Sequence, residues 1–226
     1  MTKGDAPFGP ELLSFMRALA KNNNRDWFNA HKVQYLADVQ EPALAFIRAA
    51  GPKLRNLSKH LIADARPFGG SLSRIYRDTR FAKDKSPYKT MIGIHFFHDG
   101  GSGDGEHLPG LYLHLTPGGS FAASGMWRPE PTQLKQIRDR IVAEPSEWRA
   151  ARKSGELGGE SLQRVPPGFD RDHEFVDDLR RKDYIGSVDL SDAEVSGPGF
   201  TARFVRAGKQ LDPLNRFLSK AIRLPW

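Results

Sequence analysis

Three times between residues 91 and 127 the chain alternates side chains in steps of two, in MIGIHFF, LYLHL and SFAASGMW. Successive side chains of a strand point to opposite faces, so period-two patterning over runs this short is a sheet signal rather than a helical one. An earlier run, SLSRIYR, alternates in the same way. Strands are expected at residues 72–77, 91–97, 111–115 and 120–127. Pro117-Gly118-Gly119 and the glycine-rich stretch 98–110 are connections that suit an antiparallel meander. The expectation is a sheet of about four or five strands within residues 66–128.

On both sides of this block the repeat changes to threes and fours. Pro10 precedes Leu12, Leu13, Met16 and Leu19, and Asn22-Asn23-Asn24 then interrupts the pattern. Proline is well placed in a first helical turn and asparagine at an N-cap. Trp27, Phe28, His31, Tyr35 and Val39 repeat next, followed after Pro42 by Leu44, Ile47, Leu54 and Leu57, with Gly51-Pro52 as a kink or stop. Downstream, Leu134, Ile137 and Ile141 follow Pro131, and further helices are expected at 147–153, 173–182 and 200–222. Helices over 9–60, a sheet over 66–128 and helices over 131–226 read as one α+β domain spanning 1–226, with the sheet covered on one face by both helical blocks.

Composition narrows the function classes. With 38% hydrophobic and 27% charged residues the chain is ordinary for a globular protein, and with no cysteine it has no disulfide, thiolate ligand or Cys nucleophile. The first residues hold no apolar run of signal-peptide length, and no stretch approaches the roughly 18 apolar residues of a membrane helix. The expectation is a cytoplasmic protein without membrane contact.

Alternation also sorts side chains. Ile92, Ile94 and Phe96 share one face with Leu111, Leu113 and Leu115; His95, Tyr112 and His114 share the other. Continuing the pattern adds Arg74 and Tyr76 to the second face, and at the last strand Ser124 and Arg128. A polar, aromatic and titratable face is what a binding site on a sheet contains. His95 and His114 are the candidate general acid/base groups, because histidine titrates near neutrality. The competing reading is a solvated strand face with tyrosines present for β propensity.

The charge is unevenly placed. Residues 66–89 carry seven Lys/Arg against Asp78 and Asp84, a net +5 out of +7 for the whole chain. Arginine binds phosphate or carboxylate through a planar fork, and lysine adds point charge. Arg74, Arg77, Arg80, Lys83, Lys85 and Lys89, with Arg128, are the candidate anion-binding residues; Tyr76, Asp78, Tyr88, Tyr112 and Trp127 are candidates for positioning the ligand. The partner would be an anionic, phosphorylated small molecule on the open sheet face. The alternative is a non-enzymatic module for nucleic acid, in which Trp127 beside Arg128 stacks a base, or one for an acidic protein. A purely structural alternative makes the basic run an ion-paired connection between strands.

Other machinery is not found. There is no phosphate-binding glycine loop, and GGSLS lacks the final glycine of a nucleophile elbow at Ser73, which leaves Ser71 a poor nucleophile. His95 and His98 are three apart and so point to opposite faces of a strand; His98, Asp99 and His107 form a conceivable loop set, but no short zinc signature is present. No metal and no cofactor are expected.

The motifs NNNRDWF, GGSLSRIYRDTRFAKDKSPYKT, GLYLHLTPG, MWRPEP, RKDY and PLNRFL together resemble the bacterial and fungal family catalogued as domain of unknown function 2461. The similarity runs from Phe8 to Pro225. It implies a single-domain soluble protein and supplies neither an activity nor catalytic residues.

Overall fold

The computed structural model describes residues 6–101 and 108–226. The N-terminal helices are α1 (Pro10–Lys21), α2 (Arg25–Ala30), α3 (Lys32–Tyr35), a π-helical turn (Leu36–Gln40) and α4 (Glu41–Leu54). Pro10 opens α1, and the Asn24 side chain accepts the Trp27 N–H at 2.9 Å to cap α2. Pro52 sits inside α4, whose last residue is Leu54. The strands are β1 (Leu61–Ile62), β2 (Ile92–His98), β3 (Gly110–Leu115), β4 (Ser120–Met126), β5 (Glu156–Gly158) and β6 (Tyr184–Leu190). The remaining helices are α5 (Pro131–Ala143), α6 (Pro145–Ala151), α7 (Val176–Leu179), α8 (Asp192–Ser196) and α9 (Phe200–Ala221).

The architecture is α+β, with six antiparallel strands among the described residues in the order β1-β2-β3-β4-β6-β5. Half of these lie outside the 66–128 window. β6 pairs along all of β4, from Ser120↔Leu190 to Met126↔Tyr184, and the helix expected over 173–182 shrinks to the four residues of α7. The expected strand at 72–77 does not form: Leu72 makes one isolated bridge to Ile94, and Tyr76 bridges Tyr88 instead of joining the sheet.

The register decides which side chains are covered. Leu111 faces Ser124 and Leu113 faces Ala122, so Ser124 lies on the aliphatic face. It is buried there and its hydroxyl donates to the Leu211 carbonyl at 3.3 Å, which corrects its expected place on the open face. Gly125 has φ +118°, and a Cβ there would stand 1.9 Å from the Tyr184 carbonyl oxygen, so only glycine permits this β4–β6 approach.

Helix α9 spans the covered face. Phe200, Phe204 and Ala207 close a core with Phe8, Phe46 and Phe96, and Leu214, Phe217 and Leu218 close a second one with Ile141, Trp148 and Tyr184. Trp148 Nε1–H donates to the buried Asp178 carboxylate at 2.8 Å, and Arg152 and Arg181 stand 2.9 and 3.1 Å from the same group. Among the described residues no helix is long and apolar enough to cross a membrane.

Candidate functional site

After Ser73 donates its N–H to the Gly93 carbonyl, the chain leaves the sheet and folds back on itself. Arg77 N–H reaches the Pro87 carbonyl at 2.9 Å and Lys89 N–H the Ile75 carbonyl at 2.8 Å, making a hairpin around the Tyr76–Tyr88 bridge. The asparagine run seats it. Asn23 Nδ2 donates to the Tyr88 carbonyl at 2.9 Å while Asn23 Oδ1 accepts the Tyr88 N–H at 3.0 Å. Phe28 of α2 stacks on Tyr88 with ring centroids 4.1 Å apart, and Tyr76 lies 5.5 Å from Tyr88. Tyr88 is therefore buried against Phe28 and anchors the hairpin, and what it leaves open lines the larger of the two grooves beside Asn23 and Lys89.

Both acids in the basic run are paired to arginines. Asp78 accepts from Arg80 Nη2 at 2.7 Å and from its Nε at 3.0 Å; Asp84 accepts from Arg77 and from the Ser86 N–H and hydroxyl. The Arg80 guanidinium pulls Asp78 down to about 2, and the Ser86 hydroxyl followed by the Arg77 guanidinium holds Asp84 far below the usual carboxylate range. Both acids remain ionised near neutrality and keep the two guanidiniums oriented. Lys85 Nζ donates to the Thr79 carbonyl at 2.9 Å. Among the described residues, the exposed Arg74 and Lys83 make neither a hydrogen bond nor an ion pair, and Arg74 acts on Asp78 through its charge alone, as a minor contribution to lowering that carboxyl.

Two shallow, open grooves flank the hairpin. One, of about 560 Å³, is lined by Asn23, Asp84, Ser86, Lys89 and neighbours; the other, of about 270 Å³, by Arg74, Tyr76, Thr79 and Arg80. Arg77 and Asp78 line both. Phe81, which the sequence reading passed over, is 95% exposed in this hairpin. Its signal was an apolar residue in a charged run with no periodic partner.

The open face of the sheet is a separate surface. Pairing of His95 with Tyr112, Gly93 with His114, and His114 with Phe121 gathers these residues on the side opposite the covered cores. A Cβ on Gly93 would stand 2.6 Å from the Tyr112 hydroxyl oxygen and 3.2 Å from Ser73 Oγ, so the glycine makes the notch into which the phenol leans. The Tyr112 hydroxyl lies 3.4 Å from His114 Nδ1, and His114 stacks on Phe121 at 4.6 Å. Burial lowers His95 to about 4, lowers His114, and pushes Tyr112 up to about 12. His95 and Tyr112 are thus neutral at pH 7.

His95, Tyr112 and His114 share this face as expected, and Tyr76 does not join them, because its ring packs beside Phe28 and Tyr88. Arg74 and the other cations of 77–89 belong to the hairpin, since the chain leaves the sheet after Ser73. Trp127 and Arg128 are not with either group. They follow β4 at the end where Gly125 faces Gly110, whereas the hairpin enters β2 at Ile92, beside Leu115. A seven-residue strand at about 3.3 Å per residue, some 20 Å, separates those ends. The Arg128 guanidinium lies 4.5 Å from the Trp127 ring, while the Arg128 backbone N–H donates to Asp183 Oδ1 at 2.7 Å.

One group of imidazole and carboxylate donors among the described residues is close enough to share an ion: His60, His98 and Asp99, with ligand atoms within 4.8 Å of one another. His107 lies outside the described residues. His98 is buried, its Nε2–H donates to the Pro225 carbonyl at 2.7 Å, and its Nδ1 accepts the Gly100 N–H at 2.9 Å. His60 Nδ1 faces Asp99 at 2.9 Å, and the two imidazoles are stacked within 7° of parallel. Both nitrogens of His98 are satisfied by backbone, and stacked rings do not aim their in-plane lone pairs at a common point. These contacts tie β1, β2 and the C-terminal residues together, and His60 Nε2 is buried there without a hydrogen-bond partner.

A family model described as "Conserved hypothetical protein (DUF2461)" matches residues 11–217. No curated protein and no solved structure matches. The matched span takes in nearly all of α1, the hairpin, all six of the strands described above and most of α9, so the chain belongs to the DUF2461 family of conserved hypothetical proteins.

Proposed function

We propose that this protein binds an anionic, phosphate-bearing ligand on the basic hairpin. The observation that carries the reading is the division of labour among its cations. Arg77 and Arg80 are oriented by Asp84 and Asp78, while Arg74 and Lys83 stand exposed without a hydrogen bond or ion pair. Guanidiniums already fixed by an acid lose less rotamer freedom on meeting a phosphate, and the two cations without a direct contact supply net charge. The near-neutral open face contributes no comparable attraction, because His95 and Tyr112 are uncharged at pH 7.

Thermal-shift measurements against pyrophosphate, nucleotides, sugar phosphates and short oligonucleotides test this directly. A ligand that binds only the folded state raises Tm. At least one phosphate-bearing compound raises Tm for the wild type, and the rise is lost in the double variant Arg74→Ala/Lys83→Ala; a rise that survives in that variant contradicts the reading.

A second reading adds chemistry on the open face, where the 3.4 Å approach of the Tyr112 hydroxyl to His114 Nδ1 favours His114 as a general acid/base, with His95 on the other side of Tyr112. Its test is phosphate release from the ligand so identified, which His114→Ala abolishes. Equal release by that variant removes His114 from any reaction.

A further inference from the structure

We infer that the ligand of the basic hairpin is a single-stranded nucleic acid, with Phe81 as the side chain on which a base stacks. This rests on the anion-binding reading above and goes beyond it by naming the ligand class.

The distribution of exposed aromatics carries the argument. Four large aromatics among the described residues are substantially exposed: Phe68, Tyr76, Phe81 and Trp127. Three of these four lie in the same 24-residue segment, 66–89, that carries most of the net charge. A single exposed apolar side chain needs no explanation, but aromatics interleaved with arginines in a net +5 segment match the composition that single-strand binders use. Phe81 is the clearest case. It is 95% exposed, and the Arg80 guanidinium lies 5.8 Å from its ring centroid. A base stacked on that ring would bring its phosphate within reach of Arg80 and of the unpaired Lys83. Tyr76, 49% exposed, presents a second ring beside the groove that Arg74, Arg77 and Arg80 line.

Groove shape points the same way. Pockets for small ligands bury about 70–90% of the ligand surface, whereas both grooves at the hairpin are shallow and open. An extended strand can cross them and leave its outer edge in water. A duplex keeps its bases stacked inside and offers Phe81 no free base face.

The test is fluorescence anisotropy with labelled dT15 or U15, either of which satisfies the inference, with a duplex of equal length and inorganic polyphosphate as comparisons. Phe81→Ala and Phe81→Tyr alter an exposed side chain and leave folding intact, as circular dichroism checks. Phe81→Ala is expected to weaken single-strand binding by roughly 5- to 150-fold, the equivalent of about 1–3 kcal/mol for one stacked base. Phe81→Tyr retains binding, and polyphosphate binds wild type and Phe81→Ala alike. The salt slope stays unchanged in Phe81→Ala and falls by about 0.7 in Lys83→Ala, as loss of one single-strand phosphate contact requires. Wild-type affinity for dT15 and U15 in Phe81→Ala, or duplex binding as tight as single-strand binding, overturns the inference while polyphosphate binding leaves the anion site standing. Binding of none of these polyanions overturns both.

Discussion

His95 shows how one side chain carries the energetics of a sheet face into a measurable pH dependence. Burial disfavours the charged imidazole, so its folded-state value falls to about 4 from the ordinary 6.5. Between those limits the unfolded chain binds the proton and the folded one does not. The stabilisation is fully present above pH 6.5 and is lost as pH falls toward 4. The loss amounts to at most about 3 kcal/mol, less for the part of the ring that water reaches. His114 adds in the same direction, whereas Asp78 and Glu194, each held near 2, lose their contributions only at lower pH. Denaturant unfolding of the wild type at pH 7 and pH 5 therefore shows a drop in stability that His95→Gln reduces. An identical drop in both proteins would show that His95 is not the group responsible.

At the scale of elements, the hairpin depends on an attachment made by another part of the chain. The Asn23 amide satisfies both the N–H and the carbonyl of Tyr88, and Phe28 stacks on the Tyr88 ring. Asn23→Ala leaves these two part-buried backbone groups without their partner, a change worth about 1–3 kcal/mol. Trypsin cleavage at Arg80, Lys83 and Lys85 is expected to accelerate in this variant before the sheet and helices unfold; unchanged cleavage would mean that the hairpin holds itself in place. This attachment also explains where the sequence pattern misled. SLSRIYR alternates like a strand, yet only Leu72 pairs with β2 and Tyr76 finds Tyr88 instead. Periodicity reports which side chains alternate and not which neighbour they meet. Its reading succeeded for β2, β3 and β4, where long runs face a core, and so His95, Tyr112 and His114 were assigned to one face correctly. It failed for β6, where Gly186, Ser187 and Asp189 dilute the apolar alternation, and for β1 and β5, whose two and three residues are too few to show a period.

Across the whole molecule, helices and sheet divide the surfaces by chemistry. α9 runs under the sheet and joins both cores, so the aliphatic face of β2, β3 and β4 is spent on stability. The opposite face keeps aromatic and imidazole groups, and the net charge is displaced onto a hairpin at the end of the sheet where β2 begins. That displacement was hidden from sequence reasoning, because charge can be counted along a chain while the point at which the chain leaves a sheet depends on distant partners such as Asn23. The account stands on the hairpin, and not the sheet face, being where an anion is held. The most direct measurement is an amide chemical-shift titration of the isotopically labelled protein with inorganic tripolyphosphate. The account predicts that the largest shifts fall on residues 74–89, with Arg77 and Lys83 among them, and that they shrink as salt is raised. Shifts centred on His95, Tyr112 and His114 with the hairpin unmoved, or no shifts at all, would contradict it.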